Sequence, residues 1–267
     1  MRMSPLVPFV REAGRGPGIV CLHSNASSSS QFRALTERLS AFHRVVAIDS
    51  FGAGKSPPWP GTRGPTLSDE AAFIEPVLAD IEPPFFLVGH SYGAAVALVT
   101  AVARPERVRA LVIYEPPLIA LLDEQAPGQE ASLELSRTAA DAAASIAAGD
   151  RDAAARRFID YWMGDGTWDG MPPARQAPIA ASMGPIAHWA QALAEEPTPL
   201  AAFRSLDMPV LCMVGSESPA SSRSVTRLLA QTLPNVSVME LAGLGHMAPV
   251  THPEIVNDAI AAFVARH

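Results

Sequence analysis

Only two cysteines, Cys21 and Cys212, occur in this chain of 267 residues. Each falls inside an apolar run that reads as a strand, and no metal-ligand spacing surrounds either. They read as small core residues, with no disulfide, no redox pair and no metal site. Basic runs are missing too, and the formal net charge is -7. That balance argues against nucleic-acid binding. No apolar run approaches the ~18 residues that a membrane span needs. The stretch Met1–Val10 contains Pro5 and Pro8 and no long apolar segment, so no secretory signal is read there. The expectation is a soluble, cytoplasmic protein without a membrane partner. Charged residues make up only 18% and apolar residues 48%, a composition that excludes a disordered chain. Internal repeats and low-complexity linkers are also lacking.

What is present is an alternation of short apolar runs with helical patterns. Ile19–Leu22, Val45–Ile48, Phe85–Val88 and Ala110–Tyr114 read as buried strands. Between them, Gln31–Leu39 places Phe32, Leu35 and Leu39 on one helical face, and a second helix is expected to run to Ile81 from a cap at Ser68. Glu70 in its first turn suits the helix dipole. Continuous apolar strands separated by helices imply a parallel sheet covered on both faces. The rhythm breaks after Pro116-Pro117. From there to Leu206 the chain is alanine-rich and helical, and holds three of the four tryptophans, Trp162, Trp168 and Trp189. Strands resume at Val210–Val214 and Val236–Leu241, and a final helix spans about Pro253 to Ala265. The division expected is a core of residues 1–116 and 207–267 with a helical insertion, 117–206, over the carboxyl edge of the sheet.

The stretch Gly89-His90-Ser91-Tyr92-Gly93 fits G-x-S-x-G, with a strand pattern before it and a helix pattern after it. A serine in that place sits on a sharp turn with its hydroxyl at the lip of the sheet. A hydroxyl is a poor nucleophile near neutral pH and needs a base. His246, in the loop between the last strand and the last helix, is at the same edge of the sheet. His23, His43, His90, His188, His252 and His267 fit less well. The base needs a carboxylate to orient it, and two positions compete. Glu115 ends one strand; Glu217 follows the next. Asp49 reads as a turn-stabilising carboxylate beside Gly52 and Gly54, and Asp207 lies at the wrong edge. The oxyanion formed in acyl transfer needs N–H donors. Tyr92 offers one from its backbone, and the small polar loop His23-Ser24-Asn25-Ala26-Ser27 offers a second. Ser27–Ser30 also reads as a helix start with redundant capping. Gly52-Ala53-Gly54-Lys55-Ser56 looks like the tail of a phosphate-binding loop, but Asp49 stands where that pattern requires glycine, so nucleotide binding is rejected.

These motifs together resemble the α/β-hydrolases over almost the full length of the chain. The resemblance rests on Leu22-His23-Ser24-Asn25, Asp49–Ser56, Gly89–Gly93 and Gly245-His246-Met247. It implies an α/β fold: a mostly parallel, doubly wound, eight-stranded sheet with a helical cap inserted after strand six. It assigns Ser91 as nucleophile, His246 as base, and the N–H groups of Asn25 and Tyr92 as the oxyanion hole. Two positions depart from the family. His23-Ser24 replaces the usual His-Gly, and Ser218 occupies the usual place of the acid after strand seven. Some members carry the acid at the end of strand six, where Glu115 stands, so Glu115 is the first choice and Glu217 the second. Aspartate nucleophiles mark the dehalogenase and epoxide-hydrolase relatives, and Ser91 argues against those activities.

The reading is a cofactor-free serine hydrolase that cleaves an ester or similar acyl bond of a small molecule through an acyl-enzyme. The alternatives are a carbon–carbon bond hydrolase, a lactonase or a haloperoxidase-like perhydrolase on the same scaffold, a non-catalytic small-molecule receptor, and a structural protein that retains the motif.

Overall fold

The computed structural model describes residues 6–267, so part of the Met1–Val10 stretch lies outside the described residues. Seven strands form one sheet: β1 (Val10–Ala13), β2 (Gly18–Leu22), β3 (Arg44–Ile48), β4 (Phe85–His90), β5 (Val108–Tyr114), β6 (Val210–Gly215) and β7 (Val236–Leu241). Their spatial order is β1-β3-β2-β4-β5-β6-β7, with β1 antiparallel to β3 and every other pair parallel.

Alternation along the strands explains why both faces are covered. Val20, Leu22, Val46, Ile48, Leu87, Leu111 and Ile113 point to one face. Their neighbours Ile19, Cys21, Val45, Ala47, Phe86, Val88 and Val112 point to the other. A strand apolar on both sides can only sit between two layers. The helices α1 (Arg33–Leu39), α2 (Leu67–Ala79) and α3 (Tyr92–Ala103) follow β2, β3 and β4. Between β5 and β6 run α4 (Ile119–Gln125), α5 (Glu130–Ala147), α6 (Arg151–Met163), α7 (Thr167–Gly170), α8 (Pro173–Ser182) and α9 (Ile186–Ala194). The chain closes with α10 (Ala220–Thr232), α11 (Ala248–Thr251) and α12 (Pro253–Val264). Leu67, Ile74 and Leu78 of α2 cover the first face with α3 and with Val225 and Leu229 of α10. The second face is covered by Leu35 and Leu39 of α1 and by Val256, Ile260 and Phe263 of α12. The helices between β5 and β6 keep a small apolar core of their own, built on Ala142, Ala154, Ala155, Ile159, Trp168 and Met183.

The fold class is the doubly wound, mostly parallel α/β sheet expected. The resemblance implies eight strands with the insertion after the sixth; seven strands lie among the described residues, and the helical segment follows the one that ends at Tyr114. One local detail is corrected: the cap of α2 is Thr66, not Ser68. The Thr66 hydroxyl accepts from the Asp69 N–H, and the Asp69 carboxylate accepts from the Thr66 N–H. This reciprocal pair satisfies two groups at once, which a lone cap at Ser68 would not.

After β3 the chain crosses over β2 to form β4, so its direction along the sheet reverses between β2 and β4. Loops leaving the carboxyl ends of strands on either side of such a point part from one another and leave a crevice. The two loops here are His23–Ala26 and the turn at Ser91. Cys21 and Cys212 are buried and unpaired. Among the described residues, no helix is long and apolar enough to cross a membrane, and no group of three His, Cys, Asp or Glu side chains is placed to hold a metal ion.

Candidate active site

Ser91 is forced into an unusual backbone state by its neighbours. It joins β4 directly to α3 with φ 54° and ψ -121°. Its N–H donates to the Tyr114 carbonyl at 2.8 Å, and its own carbonyl accepts from Ala94 and Ala95. The flanking glycines are required sterically. A Cβ on Gly89 would stand 2.5 Å from Ala94 Cα, and one on Gly93 would stand 2.2 Å from the Leu22 carbonyl oxygen. The turn can thus be this tight only with glycine on both sides.

His246 comes from the loop between β7 and α11 and is held by two buried side chains of the sheet. His90 Nε2–H donates to the His246 carbonyl at 2.9 Å, and the Tyr114 hydroxyl donates to the Gly245 carbonyl at 2.8 Å. These grips cross 156 and 131 residues of sequence. They bring His246 Nε2 to 2.9 Å from Ser91 Oγ. On the far side of the ring, Nδ1 lies 2.7 Å from Glu115 Oε2. With the carboxylate as acceptor, Nδ1 carries the hydrogen and Nε2 is left to accept from the serine.

Glu115 is fully buried, at the end of β5, with φ 47°. Its second oxygen, Oε1, accepts from the Gly215 N–H at 2.7 Å and from the Ser218 hydroxyl at 2.5 Å. Burial alone would push this carboxyl up. The hydrogen bonds from His246, Gly215 and Ser218 outweigh burial and hold it below its ordinary value. Glu217 is exposed and accepts only from the neighbouring Ser216 hydroxyl, at 3.3 Å. Of the two candidate acids the structure therefore brings Glu115 to His246 and leaves Glu217 outside. Ser218, at the place where the family usually carries its acid, reaches Glu115 with a hydroxyl instead.

Asn25 and Ser91 line the same cavity, of roughly 300 Å³, whose other walls include Leu135, Phe158, Trp162 and Trp189 from the helical segment. The loop carrying Asn25 is braced by His23, whose Nδ1–H donates to the Ser24 carbonyl at 2.7 Å and whose Nε2 accepts from the Ser50 N–H at 3.1 Å. Burial holds His23 below the usual imidazole range, and it spends both ring nitrogens on this bracing. Tyr92 is the first residue of α3, so its N–H has no partner within the helix. Asp49 accepts from the Ser29 and Lys55 N–H groups, as the turn reading required. The clamps from His90 and Tyr114 and the support from Ser218 went unread in the sequence. The only local signal was the position of His90 beside the serine.

A mostly parallel, doubly wound sheet that carries a serine on a glycine-flanked turn after its fourth strand defines an α/β-hydrolase. The chain belongs to the alpha/beta hydrolase family, whose sequence profile matches residues 19–259. It is similar to the 2-(acetamidomethylene)succinate hydrolase of Mesorhizobium japonicum, 29% identical over 96% of this chain and 90% of that one. It is also similar to the pimeloyl-[acyl-carrier protein] methyl ester esterase of Chromobacterium violaceum, 25% identical over 95% of this chain and 96% of that one. The solved esterase of Exiguobacterium antarcticum superposes with a TM-score of 0.80 over 97% of this chain and 95% of that one, at 18% identity, a likeness of fold. The protein is an enzyme of the hydrolase class.

Proposed function

We propose that this enzyme cleaves an ester or similar acyl bond of an uncharged small molecule through an acyl-enzyme on Ser91. The observation that carries this reading is the hydrogen-bonded chain Ser91–His246–Glu115, with links of 2.9 and 2.7 Å in a buried site. His246 Nε2 takes the Ser91 proton as Oγ attacks the substrate carbonyl carbon. The oxyanion is held by the N–H groups of Tyr92 and Asn25. The imidazolium gives its proton to the leaving group as the bond to carbon breaks. Water, deprotonated by the same nitrogen, then releases the acid and restores Ser91. Glu115 keeps the ring in the required tautomer throughout. No cofactor takes part in these steps. Residues 117–206 act as a cap on the core of 1–116 and 207–267, and the acyl group lies in the cavity between them.

The cavity wall supports a neutral substrate. Its lining is mostly alanine, leucine, isoleucine and aromatic side chains, and among the described residues no arginine or lysine lines it. Glu195 is the one ionisable side chain there. A dicarboxylate such as a succinate derivative would meet no counter-charge, so the substrate differs in charge from that of the Mesorhizobium relative.

A fluorophosphonate probe tests the nucleophile. Ser91 is expected to be labelled in the native protein, and Ser91→Ala and His246→Ala are expected to abolish both labelling and turnover of neutral p-nitrophenyl esters. Labelling that persists in Ser91→Ala would overturn the assignment.

A further inference from the structure

Trp162, near the end of α6, lies flat against the His246 imidazole. The ring centroids are 3.9 Å apart and the planes differ by 24°. The indole is 5% exposed and the imidazole 2%, so no bulk water separates the two faces. The indole is itself fixed: Tyr161 meets it edge-on at 4.8 Å and Phe158 at 6.1 Å, and the Tyr161 hydroxyl is hydrogen-bonded to Ser221 Oγ of α10 at 2.6 Å. The edges of the imidazole are already taken. Glu115 from the end of β5 holds Nδ1, and Ser91 at the start of α3 faces Nε2. Ser222 of α10 stands 3.5 Å from Nδ1, and the His90 ring of β4 lies 5.3 Å away and tilted. The indole face is therefore an uncharged surface laid on a face of the ring, next to the atoms that transfer protons.

An aromatic face carries negative charge density and attracts a cation placed over it within about 6 Å, tryptophan most strongly and more so when water is excluded. In the proposed reaction His246 becomes a cation only as Ser91 attacks. Interaction with the indole is then stronger in the transition state than in the resting enzyme, which is the condition for lowering a barrier. We infer that Trp162 is a positioning residue that acts through His246, its π face stabilising the imidazolium formed during acyl transfer. The inference rests on the reading of His246 as the base. It also gives the helical segment a direct part in catalysis, because the base works at full strength only with α6 docked.

The test compares Trp162→Phe and Trp162→Leu with the native enzyme in kcat and KM across pH, alongside a pH titration of intrinsic fluorescence. Leu removes the aromatic face and is expected to lower kcat about tenfold, while Phe keeps a weaker face and loses less than about threefold. In the Leu variant the acid limb of the kcat profile is expected to move to lower pH, since the base holds its proton less readily. In the native enzyme, tryptophan emission is expected to fall as pH drops through that limb, by quenching against the cation. That component should be absent from Trp162→Phe and from His246→Ala. Equal kcat losses in Phe and Leu with an unmoved profile, or native emission that stays flat where activity titrates, would overturn the inference. Fluorophosphonate labelling of Ser91 reports separately on the proposed reaction, and the fluorescence reads the stack whether or not turnover occurs.

Discussion

Among the described residues, three non-glycine residues adopt positive φ: Ala26, Ser91 and Glu115. Two of them are members of the hydrogen-bonded chain, and the third follows Asn25 in the cavity wall. Such states cost about 1–3 kcal/mol each and persist only where the surroundings hold them. At Ser91 the holding is visible in the bonds to Tyr114, Ala94 and Ala95; at Glu115 it is the grip of Gly215 and Ser218 on the carboxylate. The acid assignment is testable at this scale. Glu115→Gln is expected to reduce kcat on a p-nitrophenyl ester on the order of 10⁴-fold, as loss of the orienting carboxylate does in serine triads. Glu217→Gln, whose side chain faces solvent, should leave kcat within about twofold, a surface change away from the site. Steady-state kinetics on both variants decides between them. The pairing of Ser91 with His246 was legible in the sequence because a glycine-flanked serine turn and a histidine in the last loop are local patterns. The choice between Glu115 and Glu217 was not, because both follow strands that end at the same edge, and only side-chain direction separates them.

Elements differ in how much of their own cause they carry. Strands β2 to β6 are apolar on both sides and announce themselves, whereas β1, Val-Arg-Glu-Ala, is largely polar and exists because β3 offers it an antiparallel partner. That pairing is a tertiary fact, and β1 went unread. The start of α2 was misplaced for a different reason. Ser68 is a good cap by residue type, but Thr66 and Asp69 cap each other, and Arg63 also pairs with Asp69. Thr66→Ala is expected to cost about 1 kcal/mol. For a chain of this size that lowers the melting temperature by roughly 2–4 °C, read by calorimetry. Ser68→Ala, at an exposed position inside the helix, should leave the melting temperature nearly unchanged. Glu70 stands in the first turn of α2, as read, and is also buried, accepting a hydrogen bond from the Phe51 N–H.

At the scale of the whole molecule that buried carboxyl couples stability to pH. Burial pushes Glu70 up from 4.5 to about 7. The folded state therefore holds a proton that the unfolded chain releases, and stability falls as pH rises from about 4.5 to about 7. Glu70→Gln keeps an acceptor for Phe51 and removes the titration. The variant is expected to gain on the order of 3 kcal/mol relative to the native protein between pH 4.5 and pH 8. Denaturant unfolding at both pH values checks this, and an unchanged difference between the two proteins would refute it. The same scale decides the cavity. Its walls come from the turns after β2 and β4 on one side and from α4, α5, α6 and α9 on the other, and no single stretch of chain contains it.

Periodicity, glycine placement and strand-to-helix rhythm are properties of neighbouring residues, so the amino-acid order alone was enough for the layered α/β architecture, the tight turn at Ser91 and the run of helices between β5 and β6. Contacts between residues far apart in the sequence depend on how the sheet twists and where each loop leaves it. The tertiary structure alone therefore decided that Glu115 lies against His246, that Ser218 reaches Glu115, that His90 and Tyr114 clamp the histidine loop, and that Trp162 lies on the imidazole. Each of these is a matter of side-chain direction in space, which no local pattern encodes.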